Sequence, residues 1–105
     1  MRLQPKEITA VTQAAQHAFI PGTGVFLFGS RVDDAKRGGD IDLLVELPAS
    51  LPAEEWVRRR SRFVTRLYRL LDEQRIDVVM TAQDQPDARS VVARAKREGI
   101  KLVQV

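Results

Sequence analysis

Three aspartates stand alone in otherwise apolar stretches of the sequence. Asp40 and Asp42 flank Ile41 at the start of one stretch, and Asp77 follows Ile76 in another. A carboxylate among apolar side chains costs free energy unless it is paired, solvated or bound to a cation. In the structural interpretation, Asp40 caps a strand while Asp42 and Asp77 pair with arginines across a sheet. In the chemical interpretation, the three carboxylates form one site.

A site of this kind would suit a hard divalent cation. On a strand, Asp40 and Asp42 point to the same face because side chains alternate, and Asp77 on another strand can join them. Carboxylate oxygens, waters and substrate phosphates are the ligands that Mg²⁺ prefers. Two such ions about 4 Å apart can hold the attacking and leaving oxygens of a displacement at phosphorus.

A candidate phosphate-binding pair precedes these carboxylates. Gly29 and Ser30 follow a short apolar run, where glycine allows close approach of the backbone and serine offers a hydroxyl and an amide to phosphate oxygens. The next residue, Arg31, can either contact phosphate or act as a structural anchor. Lys36 and Arg37 lie further along the same polar loop and are expected to be solvated.

The elements that must position these residues follow from hydrophobic periodicity and from the distribution of proline and glycine. The loop between the first two strands has no room for a helix, so those strands should pair antiparallel. The order α, β, β, α, β, α, β indicates an α+β fold, in which helices flank a mixed β-sheet. The predicted helices cover residues 5–18, about 53–72 and 86–98, and the predicted strands cover residues 25–28, 40–46, 75–81 and 100–105.

Alternation along the strands predicts which faces are buried. The odd-numbered apolar residues of the second strand should face the core, and Asp40 and Asp42 the opposite side. The long helix should pack on the sheet through one apolar stripe. That stripe consists of Trp56, Phe63, Val64, Leu67, Leu70 and Leu71.

Composition limits the class of protein. The 105 residues carry a net charge of +3 and no cysteine, which predicts one domain over residues 1–105 that needs no disulfides. No apolar run approaches the roughly 18 residues of a membrane span, and no secretory signal is visible, so we expect a cytoplasmic protein without a membrane partner. The single histidine, His17, has no ligand or base partner nearby in the sequence and is interpreted as structural.

The spacing of these residues resembles a known family. Gly29-Ser30-Arg31 comes first, nine residues separate Ser30 from Asp40, and Asp42 follows with Asp77 on a later strand. This pattern is similar to the signature of the DNA polymerase beta-like nucleotidyltransferase superfamily, and in particular to its minimal branch. The resemblance covers most of the chain and implies that family's core, a mixed sheet flanked by helices.

The resemblance also implies a role for each residue. Asp40 and Asp42 would bind both Mg²⁺ ions, Asp77 would bind the catalytic ion and help to deprotonate the acceptor, and Gly29 with Ser30 would hold the β and γ phosphates. The reaction would transfer a nucleoside monophosphate, AMP from ATP, to a hydroxyl and release pyrophosphate.

The minimal branch further implies a partner. Such proteins resemble the antitoxin of a toxin–antitoxin pair, whose HEPN-domain ribonuclease toxin would accept the adenylate on a tyrosine. Larger members of the superfamily carry additional domains that bind the acceptor, and none is evident in this sequence. The preferred base and the oligomeric state stay open.

Two other functions compete with this one. The chain can be a non-catalytic binding module that masks its partner, or the arginines of the long helix can bind nucleic acid. An arginine-rich helix face is more often simply solvated, so nucleic acid is not the expected partner. The arginines concerned are Arg58, Arg59, Arg60, Arg62, Arg66 and Arg69.

Overall fold

The computed structural model describes residues 3–32, 40–71 and 75–105. Three α-helices and four strands follow the predicted order, and a 3-10 turn, Gly29–Val32, follows the first strand. The helices are α1 (Pro5–Ala18), α2 (Ala53–Leu70) and α3 (Ser90–Glu98). The strands are β1 (Gly24–Phe28), β2 (Ile41–Leu47), β3 (Ile76–Ala82) and β4 (Ile100–Gln104).

The strands form one mixed sheet in the order β3-β2-β1-β4. β1 runs antiparallel to β2, as the short connection between them predicts, and it also runs antiparallel to β4. β2 and β3 are parallel, and α2 provides the crossover that parallel strands require. The α+β architecture with a mixed sheet is therefore confirmed.

One face of the sheet packs against α1 and α2. The odd-numbered side chains of β2 are buried there, together with Phe63 and Leu67 of α2. The ring of Phe63 lies 4.9 Å from that of Phe19, which follows α1. Burying these side chains supplies the hydrophobic free energy that holds both helices against the sheet.

The opposite face is covered in part by α3. Val92 and Ala95 of this helix pack against Phe28 of β1 and Leu44 of β2 in a second, smaller apolar cluster. The aspartates of β2 and β3 belong to this same face, because Asp42 is two residues before Leu44 on the alternating strand. The sheet is thus buried on one face and only partly covered on the face that carries the carboxylates.

The predicted start of the last helix is wrong by four residues. Residues 83–89 form a turn followed by an irregular segment, in which Oδ1 of Asp87 accepts hydrogen bonds from the backbone N–H and the Nε–H of Arg89. The hydroxyl of Thr81 donates to the other carboxylate oxygen of Asp87 at 2.9 Å. Aspartate side chains that bond nearby backbone groups favour turns over helix, so α3 begins only at Ser90.

The apolar stripe of α2 is also shorter than predicted. Phe63, Leu67 and Leu71 are buried and Trp56 and Val64 are partly buried, but Leu70 is 42% exposed, so it does not belong to the buried side of the helix. The predicted last residue of this helix lies outside the described residues.

Two of the α2 arginines bond to other elements of the fold, although only Arg59 is partly buried and Arg60 is exposed. Arg59 donates to the carbonyl of Ala18 at 3.0 Å, and Arg60 donates to the carbonyl of Val78 at 3.3 Å. These bonds fix α2 to the end of α1 and to β3. No helix of the described chain is long and apolar enough to cross a membrane.

Candidate functional site

The sheet brings two of the predicted site aspartates side by side. Asp42 on β2 lies opposite Asp77 on β3 in parallel register, so both side chains project from the same face on neighbouring strands. Asp40 stands two residues before Asp42, just before β2 begins. Asp40 and Asp42 are half-buried, whereas Asp77 is exposed. We name these three residues the carboxylate cluster, because the charges of Asp77 and Asp40 both act on Asp42.

Gly29 lies directly against this cluster. Phe28, the last residue of β1, is opposite Asp42, so the next residue comes close to the aspartate side chain. Gly29 has φ of +76°, a conformation that side chains disfavour, and a Cβ atom at this position would clash with Oδ2 of Asp42. The backbone conformation favours glycine here, and an added Cβ would also force the carboxylate of Asp42 to move.

The carboxylates interact unfavourably in their charged forms. Burial raises the pKa of Asp42, the negative charges of Asp77 and Asp40 raise it further, and a side-chain hydrogen bond between Asp42 and Asp77 acts in the same direction. A hydrogen bond between two carboxyl groups needs a shared proton. Among the described residues, the cluster thus concentrates negative charge that the positive charge of Arg94 opposes only in part.

Among the described residues, the positively charged side chain that acts on this cluster is Arg94 of α3. Arg94 was not identified as a site residue from the sequence. Its positive charge partly opposes the raised pKa of Asp42. The guanidinium is 55% exposed and pairs with Glu98 at 3.2 Å, one turn further along the helix. Nothing in the sequence distinguishes Arg94 from the other basic residues of α3, because its position depends on how the helix packs on the sheet.

The fit of these aspartates to a metal ion can be judged from their chemistry. In residues 3–32, 40–71 and 75–105, no three His, Cys, Asp or Glu side chains are grouped so as to hold a metal ion. Mg²⁺ seldom needs such a cage, since it keeps waters and takes phosphate oxygens beside one or two carboxylates. A cation beside Asp42 and Asp77 would also replace their repulsion with attraction. The donor set therefore fits Mg²⁺ bound together with a triphosphate, and the metal-ligand assignment of Asp40, Asp42 and Asp77 stays a prediction.

The turn after β1 is fixed to the first helix. Nη1 of Arg31 lies 3.8 Å from Oε2 of Glu7, a buried residue in the first turn of α1. The other carboxylate oxygen of Glu7 accepts the backbone N–H of Gln4 at 2.9 Å. Of the two interpretations of Arg31, this geometry favours the structural anchor, and it orients the turn that carries Gly29 and Ser30. Lys36 and Arg37 lie outside the described residues.

The arrangement agrees with a comparison to known families. The nucleotidyltransferase domain family matches residues 10–102, which include every predicted site residue. The chain belongs to the nucleotidyltransferase domain family. No curated protein sequence matches the chain.

A solved structure has the same fold as this nucleotidyltransferase domain. It is the crystal structure of a toxin–antitoxin complex, MntA–HpeT, carrying two aspartate-to-glutamate substitutions. The similarity has a TM-score of 0.57 at 21% identity and covers 98% of this chain and 75% of the other. At this identity the comparison supports the fold.

Proposed function

We propose that this nucleotidyltransferase domain transfers AMP from ATP, with Mg²⁺, to a hydroxyl group of a partner protein and thereby acts as an antitoxin. The observation that carries the proposal is the carboxylate cluster, in which Asp42 lies between Gly29 and Asp77 on the less covered face of the sheet. A cluster whose charge is only partly opposed among the described residues is expected at a site whose cations arrive with the substrate.

Each residue has a distinct task in the proposed reaction. Asp40 and Asp42 hold the metal-bound triphosphate, and the N–H and hydroxyl groups of the Gly29–Val32 turn bind its terminal phosphates. Mg²⁺, when bound, neutralises charge on the phosphates and the leaving pyrophosphate. The acceptor oxygen forms a bond to the α phosphorus, and the bond from that phosphorus to the bridging oxygen of pyrophosphate breaks.

Asp77 is the residue proposed to take the acceptor's proton. It is the only exposed member of the cluster, so an incoming hydroxyl can reach it while Asp42 lies deeper. A carboxylate within hydrogen-bond distance of a reacting hydroxyl can act as a general base.

The proposal of an antitoxin role and of a protein acceptor is based on the resemblance of the sequence to the minimal branch of the family. The name of the MntA–HpeT structure describes a toxin–antitoxin complex, which supports a toxin as partner. Within this proposal, the partner is a HEPN-domain ribonuclease and the acceptor is one of its tyrosines. The competing function is a binding module that masks the partner without chemistry.

One experiment separates these functions. Wild type, Asp77→Asn and Asp42→Asn are each incubated with labelled ATP, Mg²⁺ and the purified product of the neighbouring gene, and label on that protein is measured by gel and by mass. We expect Asp77→Asn to keep most ATP affinity but to lose turnover by something on the order of 10² to 10⁴, and Asp42→Asn to lose both.

The controls decide between chemistry and masking. Glu46→Gln removes a carboxylate from the same face of β2, one that pairs with Lys96 at 3.3 Å, and should leave transfer unchanged. If wild type adds no nucleotide while Asp77→Asn still neutralises the partner fully, the enzyme proposal is wrong and the masking function replaces it.

A further inference from the structure

A groove of about 330 Å³ runs along α2 on the side of the molecule away from the carboxylate cluster. It begins beside the end of α1 and follows the exposed face of α2. We name this surface the basic groove. It is lined by His17, Arg58, Ser61, Arg62, Thr65, Arg66 and Arg69.

Within residues 3–32, 40–71 and 75–105, the arginines of the basic groove have no acidic ion-pair partner, and no carboxylate from these residues lines the groove. On the adjacent side of the same helix, Arg59 pairs with Glu55 at 2.9 Å, and on α3 Arg94 and Arg97 both reach Glu98. The four groove arginines carry more positive charge than the net +3 of the whole chain.

This concentration works against the stability of the helix. Arg58, Arg62 and Arg66 follow one another at four-residue intervals, so like charges are neighbours on the helix surface and repel. The row from Arg58 to Arg69 extends about 16 Å along the helix axis. An extended series of negative charges would relieve the repulsion along its whole length, which a single phosphate would not.

An apolar surface next to the groove indicates which chemical class of partner would fit. A shallow, open apolar surface adjoins the groove at the start of α2 and is formed by Ala53, Glu54, Val57 and Arg58. Val57 is 61% exposed, and Arg58 belongs to both surfaces. A mixture of arginine with an apolar anchor point is typical of protein interfaces, whereas binding of single-stranded nucleic acid would use aromatic stacking, which the described lining of these two surfaces lacks apart from His17.

We propose that the basic groove and its apolar end bind an acidic amphipathic segment of a partner protein. Carboxylates at helical spacing would pair with the row of arginines, and one apolar side chain would cover Val57. This surface is separate from the carboxylate cluster, so the inference does not depend on the proposed reaction.

The test uses a labelled helical peptide with glutamates at four-residue intervals and a terminal leucine, measured by fluorescence anisotropy without ATP. Two further peptides replace the glutamates with glutamine or the leucine with serine. We expect the acidic peptide to bind, and both replacements and Arg62→Glu/Arg66→Glu to weaken it about tenfold or more. Raising salt from about 50 to about 300 mM should also weaken it, because exposed charges are screened.

Arg97→Glu is the matched control, since it reverses an arginine that is 69% exposed on a different helix. It should leave binding unchanged. Hydrogen exchange should show protection by the peptide along α2 and at the end of α1. If a short single-stranded RNA binds instead and the leucine has no effect, the groove is a nucleic-acid site. If no probe binds, or if Arg97→Glu weakens binding equally, the groove is a solvated surface and the proposal fails.

Discussion

Two aspartates at opposite ends of β3 have opposite surroundings: Asp42 lies beside the start of this strand, and Asp87 is bonded to Thr81 near its end. Asp42 lies beside Asp77 and Asp40, and burial and these like charges raise its pKa. Asp87, in the turn after β3, accepts hydrogen bonds from Arg89 and Thr81 that lower its pKa. A carboxylate that is present for structural reasons is expected to pair with an arginine. Asp87 has such a partner in Arg89, whereas among the described residues Asp42 is acted on only by the more remote charge of Arg94.

The difference between the two aspartates indicates that Asp87 serves stability, whereas Asp42 is a candidate for function. Arg89 joins the Asp87 turn to β3, because its guanidinium donates to Asp87 at 2.7 Å and to the carbonyl of Met80 at 2.6 Å. Asp42 has no comparable partner in the described chain except the distant influence of Arg94. A carboxylate that costs stability at a fixed position is a candidate for binding an external cation.

The largest expected effect tests this contrast directly. Asp42→Asn should lower kcat/KM for nucleotide transfer by on the order of 10³-fold or more, because it removes charge that holds the metal-bound phosphates. The same variant should unfold at an equal or higher temperature in chelator, since repulsion with Asp77 and Asp40 is gone. Asp87→Asn should do the opposite, with near-normal kcat/KM and a lower unfolding temperature. If Asp42→Asn and Asp87→Asn lose activity and stability to the same extent, the two aspartates do not have the different roles argued for them.

The second effect concerns the glycine against the cluster. Gly29→Ala forces a residue with φ of +76° to carry a side chain and displaces Asp42. The backbone strain costs about 1–2 kcal/mol, and a displacement of about 1 Å in the site can lower turnover about 10²-fold. Turnover and thermal unfolding are measured on the same samples.

Gly22→Ala controls for strain alone. Gly22 has φ of +95°, and its added Cβ would lie 3.2 Å from Cγ of Pro48 rather than against an aspartate. It should lose similar stability and keep its turnover. An equal fall in turnover for both glycine variants would mean that strain, and not the contact with Asp42, explains the effect.

A smaller effect is expected from the cation above the cluster. Arg94→Gln should weaken Mg²⁺·ATP binding about two- to fivefold, because an exposed charge contributes at most about 1 kcal/mol. Arg97→Gln is its control, since Arg97 also reaches Glu98 but does not act on Asp42. Calorimetric titration of both variants checks the difference. Equal affinities would show that Arg94 serves only its helix.

The sequence predicted those features that depend on local patterns. Strand alternation correctly placed the odd-numbered side chains of β2 in the core and Asp42 on the other face. The residue type of Gly29 also predicted that another group, a phosphate, can approach the backbone closely at this position. In the structure the group that lies close to Gly29 is the Asp42 carboxylate. The binding of metal and phosphate by these residues stays a prediction.

Features that depend on tertiary packing were not predictable. The pairing of Arg31 with Glu7 joins a turn to a helix more than twenty residues earlier, so the sequence left two interpretations of Arg31 open. The influence of Arg94 on Asp42 depends on the packing of α3 against the sheet. The delayed start of α3 results from Asp87, whose bonds to Thr81 and Arg89 compete with helix formation.

The smallest effect is a difference in how stability depends on pH. The pKa of Asp87 in the folded chain lies below its ordinary value of 3.8, mainly because Arg89 donates hydrogen bonds to it. Its contribution to the free energy of unfolding is therefore present above about pH 4 and is lost as the pH falls further. Asp42 has a raised pKa, so its favourable contribution to the free energy of unfolding is present below pH 3.8 and is lost as the pH rises through its folded pKa.

Urea unfolding in chelator should show that the difference in stability between wild type and Asp87→Asn becomes smaller towards low pH. Any stability advantage of Asp42→Asn over wild type should grow as the pH rises. Arg89→Gln should abolish most of the Asp87 effect, and a pH-independent gap for Asp87→Asn would show that the turn is held by packing instead of by this ion pair.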